Sequence, residues 1–377
     1  MSDPAIIFLR STGRSGSKQL AAWLGTHPEI ARVPVNECLP EELFDHCVQR
    51  LRARLPRAPH SAFEHGVRAS FDAYCASQVE PARWTLQKST GHVHHLDTLL
   101  THWPEARLLF LVRHPIDVIR SLVSTDIARY HGQYGYRATV LNAALRWAND
   151  TYAFLRSHAA QDPRLHLVRF EDLLRPEATG WSDLWRHLDL EDPGPPPVGK
   201  PSGYGHTFEF TPEEHAWLLD AVSELARALG YRDDDAPPPA SNVDPATHRD
   251  RRLTGPLPPL DAHSLLADAI RSAHAAGRSR IGLYGAGTAA RLLAATWPAD
   301  LERPVVIIDD DRTLAGSALA GIPVAAPDEA RALELETVIP MTFVHEAAMT
   351  ARWIERFGAS IPVTPFVPAA SFAAPTT

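Results

Sequence analysis

Ile6-Ile7-Phe8-Leu9-Arg10-Ser11-Thr12-Gly13-Arg14-Ser15-Gly16-Ser17-Lys18-Gln19-Leu20-Ala21-Ala22-Trp23-Leu24 is the stretch on which the fold turns. The apolar run Ile6 to Leu9 predicts a strand, the small and polar residues Ser11 to Lys18 a turn, and Gln19 to Gly25 a helix. A glycine-rich turn between strand and helix aims several backbone N–H groups and the positive end of the helix dipole at one point. Phosphate or sulfate is therefore its natural guest. The nucleoside-triphosphate form of this loop follows G-x-x-x-x-G-K-[ST], with lysine directly after the second glycine. Here Gly13 and Gly16 are too close, and Ser17 separates Gly16 from Lys18, so the ordinary ATPase or kinase reading fails. What remains is Arg14, whose guanidinium can fork two N–H bonds onto a sulfonate or phosphate; a plain surface turn is the alternative.

The same grammar repeats on either side of a break in composition. Leu108 to Val112 is followed by a helical pattern from Ile116 to Ser124, and Leu165 to Phe170 by another from Trp181 to Leu188. Strands alternating with helices imply a parallel sheet. Between Tyr231 and Leu260 the chain turns to Asp233-Asp234-Asp235, Pro237-Pro238-Pro239, Pro256, Pro258 and Pro259, which reads as an extended linker. Beyond it come a strand from Arg280 to Tyr284, a glycine turn, a helix from Thr288 to Trp297, and a strand from Pro304 to Ile308. The expected fold is α/β throughout: a P-loop-like parallel-sheet domain over 1–235, a proline-rich linker over 236–260, and a smaller Rossmann-like α/β domain over 261–377.

Composition narrows the function classes. The 377 residues carry a formal net charge of −8, so no global basic field gathers nucleic acid, and any anion must be held by a local site. Three cysteines, Cys38, Cys47 and Cys75, with no CxxC pair, give neither a disulfide framework nor a cysteine zinc site. Met1 runs straight into the first strand without a leader-like segment, and no apolar run reaches membrane-spanning length. The expectation is a cytoplasmic protein that binds neither nucleic acid nor membrane; an oligomer is compatible with the sequence.

A second candidate anion site is Leu108-Leu109-Phe110-Leu111-Val112-Arg113-His114-Pro115-Ile116-Asp117-Val118-Ile119-Arg120-Ser121. Pro115 suits a first helical turn and Asp117 a helix N-terminus, which brings Arg113 and Ser121 toward one phosphate. In these residues the chain resembles the sulfotransferases that use 3′-phosphoadenosine-5′-phosphosulfate (PAPS), and their bacterial, carbohydrate and tyrosylprotein branches more than the small-phenol branch. Gly13-Arg14-Ser15-Gly16-Ser17 is similar to the element that cradles the 5′-phosphosulfate. Arg113 with Ser121 is similar to the pair that holds the 3′-phosphate. Leu167-Val168-Arg169-Phe170-Glu171-Asp172-Leu173 resembles the family's strand and Glu-Asp-Leu segment, and Leu225 to Tyr231 its closing helix, so the likeness spans about residues 5–232. Lys18 departs from the family pattern, standing where threonine or serine is usual.

The resemblance implies transfer of a sulfuryl group from PAPS, as donor substrate, to a hydroxyl or amine of a small-molecule or carbohydrate acceptor by in-line displacement. It implies that Gly13, Arg14, Ser15, Gly16, Ser17, Lys18, Arg113 and Ser121 bind the donor, with Tyr204, in the region of the family's covering loop, as a looser assignment. Arg14 and Lys88 are the candidates for stabilising the moving group; on its residues alone, Lys88 reads as a surface lysine on a loop. Glu37 is the first choice of general base, with His92, His94 and His95 competing because imidazole titrates nearer neutrality. Adjacent histidines without supporting cysteines or carboxylates do not follow zinc spacings, so no metal is expected. The aromatics between Phe63 and Trp84 read as core rather than pocket. Two rivals stay open: an ATP-dependent phosphotransferase with an atypical phosphate loop, and a noncatalytic nucleotide-binding protein.

In the C-terminal half, Gly282-Leu283-Tyr284-Gly285-Ala286-Gly287-Thr288-Ala289-Ala290 is strand, G-x-G-x-x-A and helix, with Asp309 closing the next strand. Taken literally it predicts a dinucleotide, the acid reaching a ribose hydroxyl. The region also resembles small Rossmann-like domains appended to bacterial methyltransferases and sugar-modifying enzymes, which implies a packing, docking or acceptor-presenting role. NAD is not the expected ligand.

Overall fold

The computed structural model describes residues 5–34, 60–90, 93–130, 136–175, 179–194, 208–238, 262–287, 290, 293, 297, 301–342 and 346–366. These divide into two compact units, one holding the described residues up to 131 together with 150–238, the other 136–149 and the described residues from 262 onward.

In the first unit β1 (Ala5–Ser11), β2 (Ile30–Arg32), β3 (Trp84–Lys88), β4 (Arg107–Val112) and β5 (Leu165–Arg169) form one sheet in the order β2-β3-β1-β4-β5. Every neighbouring pair is parallel. Parallel neighbours need crossovers, and helices provide them: α1 (Ser17–Leu24), α2 (His60–Gln78), α3 (Leu96–His102), α4 (Pro115–Tyr130), α5 (Tyr136–Arg156), α6 (Phe170–Leu174), α7 (Gly180–Leu188) and α8 (Pro212–Ala228). Both faces are covered, which is why the central strands read as continuous apolar runs. On one face Ile7, Leu9, Leu86, Leu109 and Leu111 pack with Leu20, Trp23 and Leu24 of α1 and with Trp181 and Trp185 of α7. On the other, Phe8 stacks on Phe71 at 6.2 Å and meets Trp103 edge-on at 5.4 Å. Phe71 and Trp84 are buried, so these aromatics serve packing.

The strand–turn–helix periods are found where the sequence places them, with informative shifts. α1 begins at Ser17, two residues before the expected start, because Gly16 adopts φ 92° and caps it. Phe170, expected to end a strand, opens α6 instead. Helix α8 starts at a capping box: Thr211 Oγ accepts from Glu214 N–H at 3.2 Å, and Glu214 accepts from Thr211 N–H at 2.9 Å. The acidic triplet after it is not simply solvated chain. Asp235 is buried in an ion network, 3.0 Å from Arg175 and 3.7 Å from Arg169.

The second unit contains α9 (Ala262–Ala275), β6 (Ile281–Tyr284), β7 (Val306–Ile308), β8 (Ala318–Leu319), β9 (Ile322–Ala325), β10 (Thr337–Pro340) and α10 (Glu346–Phe357). Its sheet runs β10-β6-β7-β9-β8, parallel except for the β8–β9 hairpin. Tyr284, Ile308, Val338, Trp353 and Phe357 lie in its core. Of the expected helix 288–297, residues 290 and 293 are described and helical.

Candidate active site

In open α/β sheets ligands bind beyond the carboxyl ends of the strands, where the connections diverge. That place here is the end of β1, between β3 and β4. Residues 12–16 leave β1 as a tight turn whose backbone is left-handed twice, at Arg14 (φ 67°) and Gly16 (φ 92°). Glycine is required at 16 for a second reason: a Cβ there would sit 2.5 Å from Cε2 of Phe170. Thr12 and Ser15 share a hydroxyl–hydroxyl hydrogen bond, and Ser15 and Ser17 are buried, whereas Arg14 and Lys18 are exposed. Lys18 thus stands on the outer side of α1 while Ser17, one residue earlier, turns inward.

The two candidate anion elements meet. Arg14 Nε donates to Ser121 Oγ at 2.9 Å, across 107 residues of chain. Ser121 is buried on the second turn of α4, and Arg113, which precedes that helix, is held by Asp117 at 3.0 Å. The ring of Phe170 lies against Gly16 and also under the Arg113 guanidinium, 5.5 Å from ring centre to Cζ. One aromatic therefore buttresses both elements.

The Glu-Asp-Leu segment explains itself structurally. Glu171 accepts from His114 N–H at 2.8 Å with one carboxylate oxygen and from the Tyr231 hydroxyl at 2.9 Å with the other. Asp172 takes two bonds from Arg169, at 2.7 and 3.0 Å, and Arg169 also donates to Gly230 O at 2.6 Å. Burial raises the Glu171 carboxyl above the usual range, while its two hydrogen bonds and the charge of Arg113 pull the other way. His114 is buried and its pKa is lowered to about 4, chiefly by desolvation, so it is neutral near pH 7.

Lys88 is not a surface lysine on a loop. It is the last residue of β3, paired in register with Leu9, and buried. Strand alternation puts Lys88 and Ser11 on the α1 face of the sheet with Leu9 and Leu86. Neighbouring Gln87 faces the other side, where its Oε1 accepts from buried Arg10 at 2.6 Å. Sequence reasoning passed over Arg10; a cation in the middle of a strand otherwise made of core residues was the available signal. The hydroxyls of Ser11 and Ser89 are buried at these strand ends without a hydrogen-bond partner, the kind of group that water or a ligand completes. His95 is half-buried at the end of a short 3₁₀ turn, Val93–His95. Glu37, His92 and Tyr204 lie outside the described residues, as does the side chain of His94. Among the described residues no three of His, Cys, Asp and Glu come together as a metal site, and no helix is long and apolar enough to cross a membrane.

At the opposite edge of the sheet a cavity of about 770 Å³ is lined by Ala5, Arg68, Asp72, Thr85, Trp103 and Glu105. Its charges are already paired, Arg68 lying 3.5 Å from Asp72 and 3.4 Å from Glu105.

The second glycine turn is built differently. Gly285 is left-handed (φ 104°), and Ala286 N–H donates to Asp309 at 2.5 Å. The other oxygen of Asp309 accepts from Asp311 N–H at 2.7 Å. The acid read as a ribose ligand spends both oxygens on backbone, one of them inside the turn itself. Asp310 accepts from the Tyr284 hydroxyl at 2.7 Å and faces Arg352 and Arg356 at 3.2 and 3.5 Å.

Residues 4–194 match the family model described as the sulfotransferase family. No curated protein matches the chain. Among solved structures, a sulfotransferase from Alicyclobacillus acidocaldarius is similar at 16% identity, over 62% of this chain and 99% of that one, with a TM-score of 0.39. The sulfotransferase domain from the curacin biosynthetic pathway is similar at 20% identity over 50% and 75%, TM-score 0.34. Sulfotransferase STF1 from Mycobacterium tuberculosis is similar at 15% identity over 59% and 76%, TM-score 0.38.

Proposed function

The chain belongs to the sulfotransferase family, and from that premise we propose that it transfers a sulfuryl group from PAPS to a hydroxyl or amine of a small-molecule or carbohydrate acceptor. The observation that carries this reading is the 2.9 Å bond from Arg14 to Ser121, which joins the turn after β1 to the helix after β4. A donor with phosphate groups at both its 3′ and 5′ ends needs two anion clamps at one opening, and a lone phosphate loop needs only one.

In this reading Gly13 to Lys18 present backbone N–H groups to the phosphosulfate, and Arg113 with Ser121 holds the 3′-phosphate. Arg14 and Lys88 lie where charge develops. The acceptor oxygen attacks sulfur in line, and the bond from sulfur to the bridging oxygen breaks. Its electron pair leaves on the 5′-phosphate of adenosine 3′,5′-bisphosphate. The acceptor's proton passes to Glu37, with His92 as the alternate base. A sulfuryl group carries less charge than a phosphoryl group, so positioning and fixed cations suffice and no metal is invoked. Residues 1–235 form the transferase domain and 261–377 an accessory domain joined by the linker 236–260; the setting is cytoplasmic.

Calorimetric titration with adenosine 3′,5′-bisphosphate, ATP and NAD tests the reading. Binding of the bisphosphate in preference to the other two is the expected result. Magnesium-dependent preference for ATP would overturn it in favour of phosphoryl transfer, and tight bisphosphate binding with no sulfated product from any acceptor would leave a nucleotide-binding protein. Glu37→Gln is expected to lower turnover with donor affinity kept; unchanged turnover moves the base to the histidines.

A further inference from the structure

The turn Arg113-His114 joins β4 to α4, and everything it presents to a ligand depends on how it is held. Pro115 has no N–H, and His114 is the last residue before the helix that offers one. That N–H goes to a side chain 57 residues away, Glu171. The second oxygen of Glu171 is engaged by Tyr231, the first residue after the left-handed turn at Gly230 that follows α8. Tyr231 is fixed on its own account: its ring meets His114 edge-on at 5.3 Å and lies under Arg169, whose guanidinium holds Gly230 O. Burying a carboxylate costs free energy that simple packing would not repay, so the site calls for a particular acceptor in a particular place.

We propose that Glu171 is the positioning residue of the 3′-phosphate clamp: by bridging His114 N–H and the Tyr231 hydroxyl, it holds the turn that aims Arg113 at the ligand. The inference rests on the donor reading above, because it assigns Arg113 to the 3′-phosphate. Glu171 itself touches no ligand. It acts through the backbone of the next segment, and Tyr231 anchors it from the far end of the unit.

The test is calorimetry with two probes, adenosine 3′,5′-bisphosphate and adenosine 5′-monophosphate, on the unmodified chain and on Glu171→Ala, Glu171→Gln and Tyr231→Phe. Glu171→Ala is expected to weaken the bisphosphate about tenfold while the 5′-monophosphate changes by less than about twofold. Tyr231→Phe, which removes one hydroxyl and keeps the ring, is expected to lose about threefold for the bisphosphate alone. Glu171→Gln keeps a carbonyl oxygen for His114 N–H and is expected to restore most of the loss. A merely structural role would weaken both probes alike. Equal losses for the two probes, or none in either Glu171→Ala or Tyr231→Phe, overturn the proposal while the unmodified chain's preference for the bisphosphate leaves the donor reading standing. An unmodified chain that binds both probes equally sinks the donor reading, and this inference with it. Should Glu171→Ala fail to fold, Tyr231→Phe and Glu171→Gln decide the matter.

Discussion

The two halves of this chain each contain a strand, a glycine turn and a helix, yet the turns are finished in opposite ways. After β1 the nearby groups are a guanidinium, hydroxyls and an aromatic wedge: Arg14, Ser121 and Phe170. After β6 the nearby group is a carboxylate, Asp309, which already occupies a backbone N–H of the turn. A turn rich in glycine states only that backbone approaches something closely. Whether that something is a ligand or the protein's own acid is decided by the neighbouring strand, β4 in one case and β7 in the other.

The contrast can be broken most forcefully at Gly16. Gly16→Ala combines a left-handed backbone with a Cβ 2.5 Å from the Phe170 ring, so a loss of about 3 kcal/mol in urea denaturation is expected, together with loss of nucleotide binding. At Gly285 the equivalent Cβ would meet the end of a flexible side chain, Met349, at 3.0 Å. Gly285→Ala should therefore cost less, about 1–2 kcal/mol, mostly from the backbone. A reversed order would mean that Phe170 is not the rigid wedge described here.

Arg14→Ala removes the charge that joins the two clamps and is expected to weaken adenosine 3′,5′-bisphosphate by about 10²-fold, with little change in melting temperature. Acid should separate the two regions next. His114 has an ordinary unfolded pKa near 6.5 and a folded value of about 4, so between those values the unfolded chain binds the extra proton and stability falls as pH falls. Its contribution, at most about 3 kcal/mol, is fully present above pH 6.5 and is lost toward pH 4. The raised carboxyl of Glu171 works in the opposite sense across its own window. Resonances of the His114 ring should titrate near pH 4. A midpoint near 6.5 would place that ring in water.

Smaller effects sharpen the comparison. Asp309→Ala leaves the N–H groups of Ala286 and Asp311 without this acceptor and is expected to cost about 1–2 kcal/mol while nucleotide binding stays unchanged. Gly13→Ala introduces a Cβ with nothing within 4 Å, on a backbone without positive φ, so its effect on stability is expected to be within about 0.5 kcal/mol.

Much of the first unit was legible in the sequence because its signals are local. The apolar runs at 6–9 and 108–112, the turn residues at 12–16 and the spacing from Arg113 to Ser121 each lie within one strand–helix unit. Short β3 was missed because Trp84-Thr85-Leu86-Gln87-Lys88 mixes apolar with polar residues, and its buried polar members are satisfied only across the sheet, as Gln87 is by Arg10. Contacts that build the site were equally invisible. Phe170 against Gly16, Arg14 to Ser121 and Glu171 between His114 and Tyr231 join residues 57 or more positions apart, and only the strand order brings them together. In the second unit the pattern was read correctly, but the literal ligand did not follow from it. No spacing rule tells an acid that reaches outward from one that folds back onto its own turn.

Arg14 keeps its guanidinium in place by adopting a conformation that costs an L-residue roughly 1–2 kcal/mol, and glycine or asparagine would relieve it. The turn is therefore a point where robustness and usefulness diverge. A laboratory selection for heat tolerance alone would favour discarding the arginine, and the surviving variants would be sturdier molecules with an idle opening at the top of the sheet.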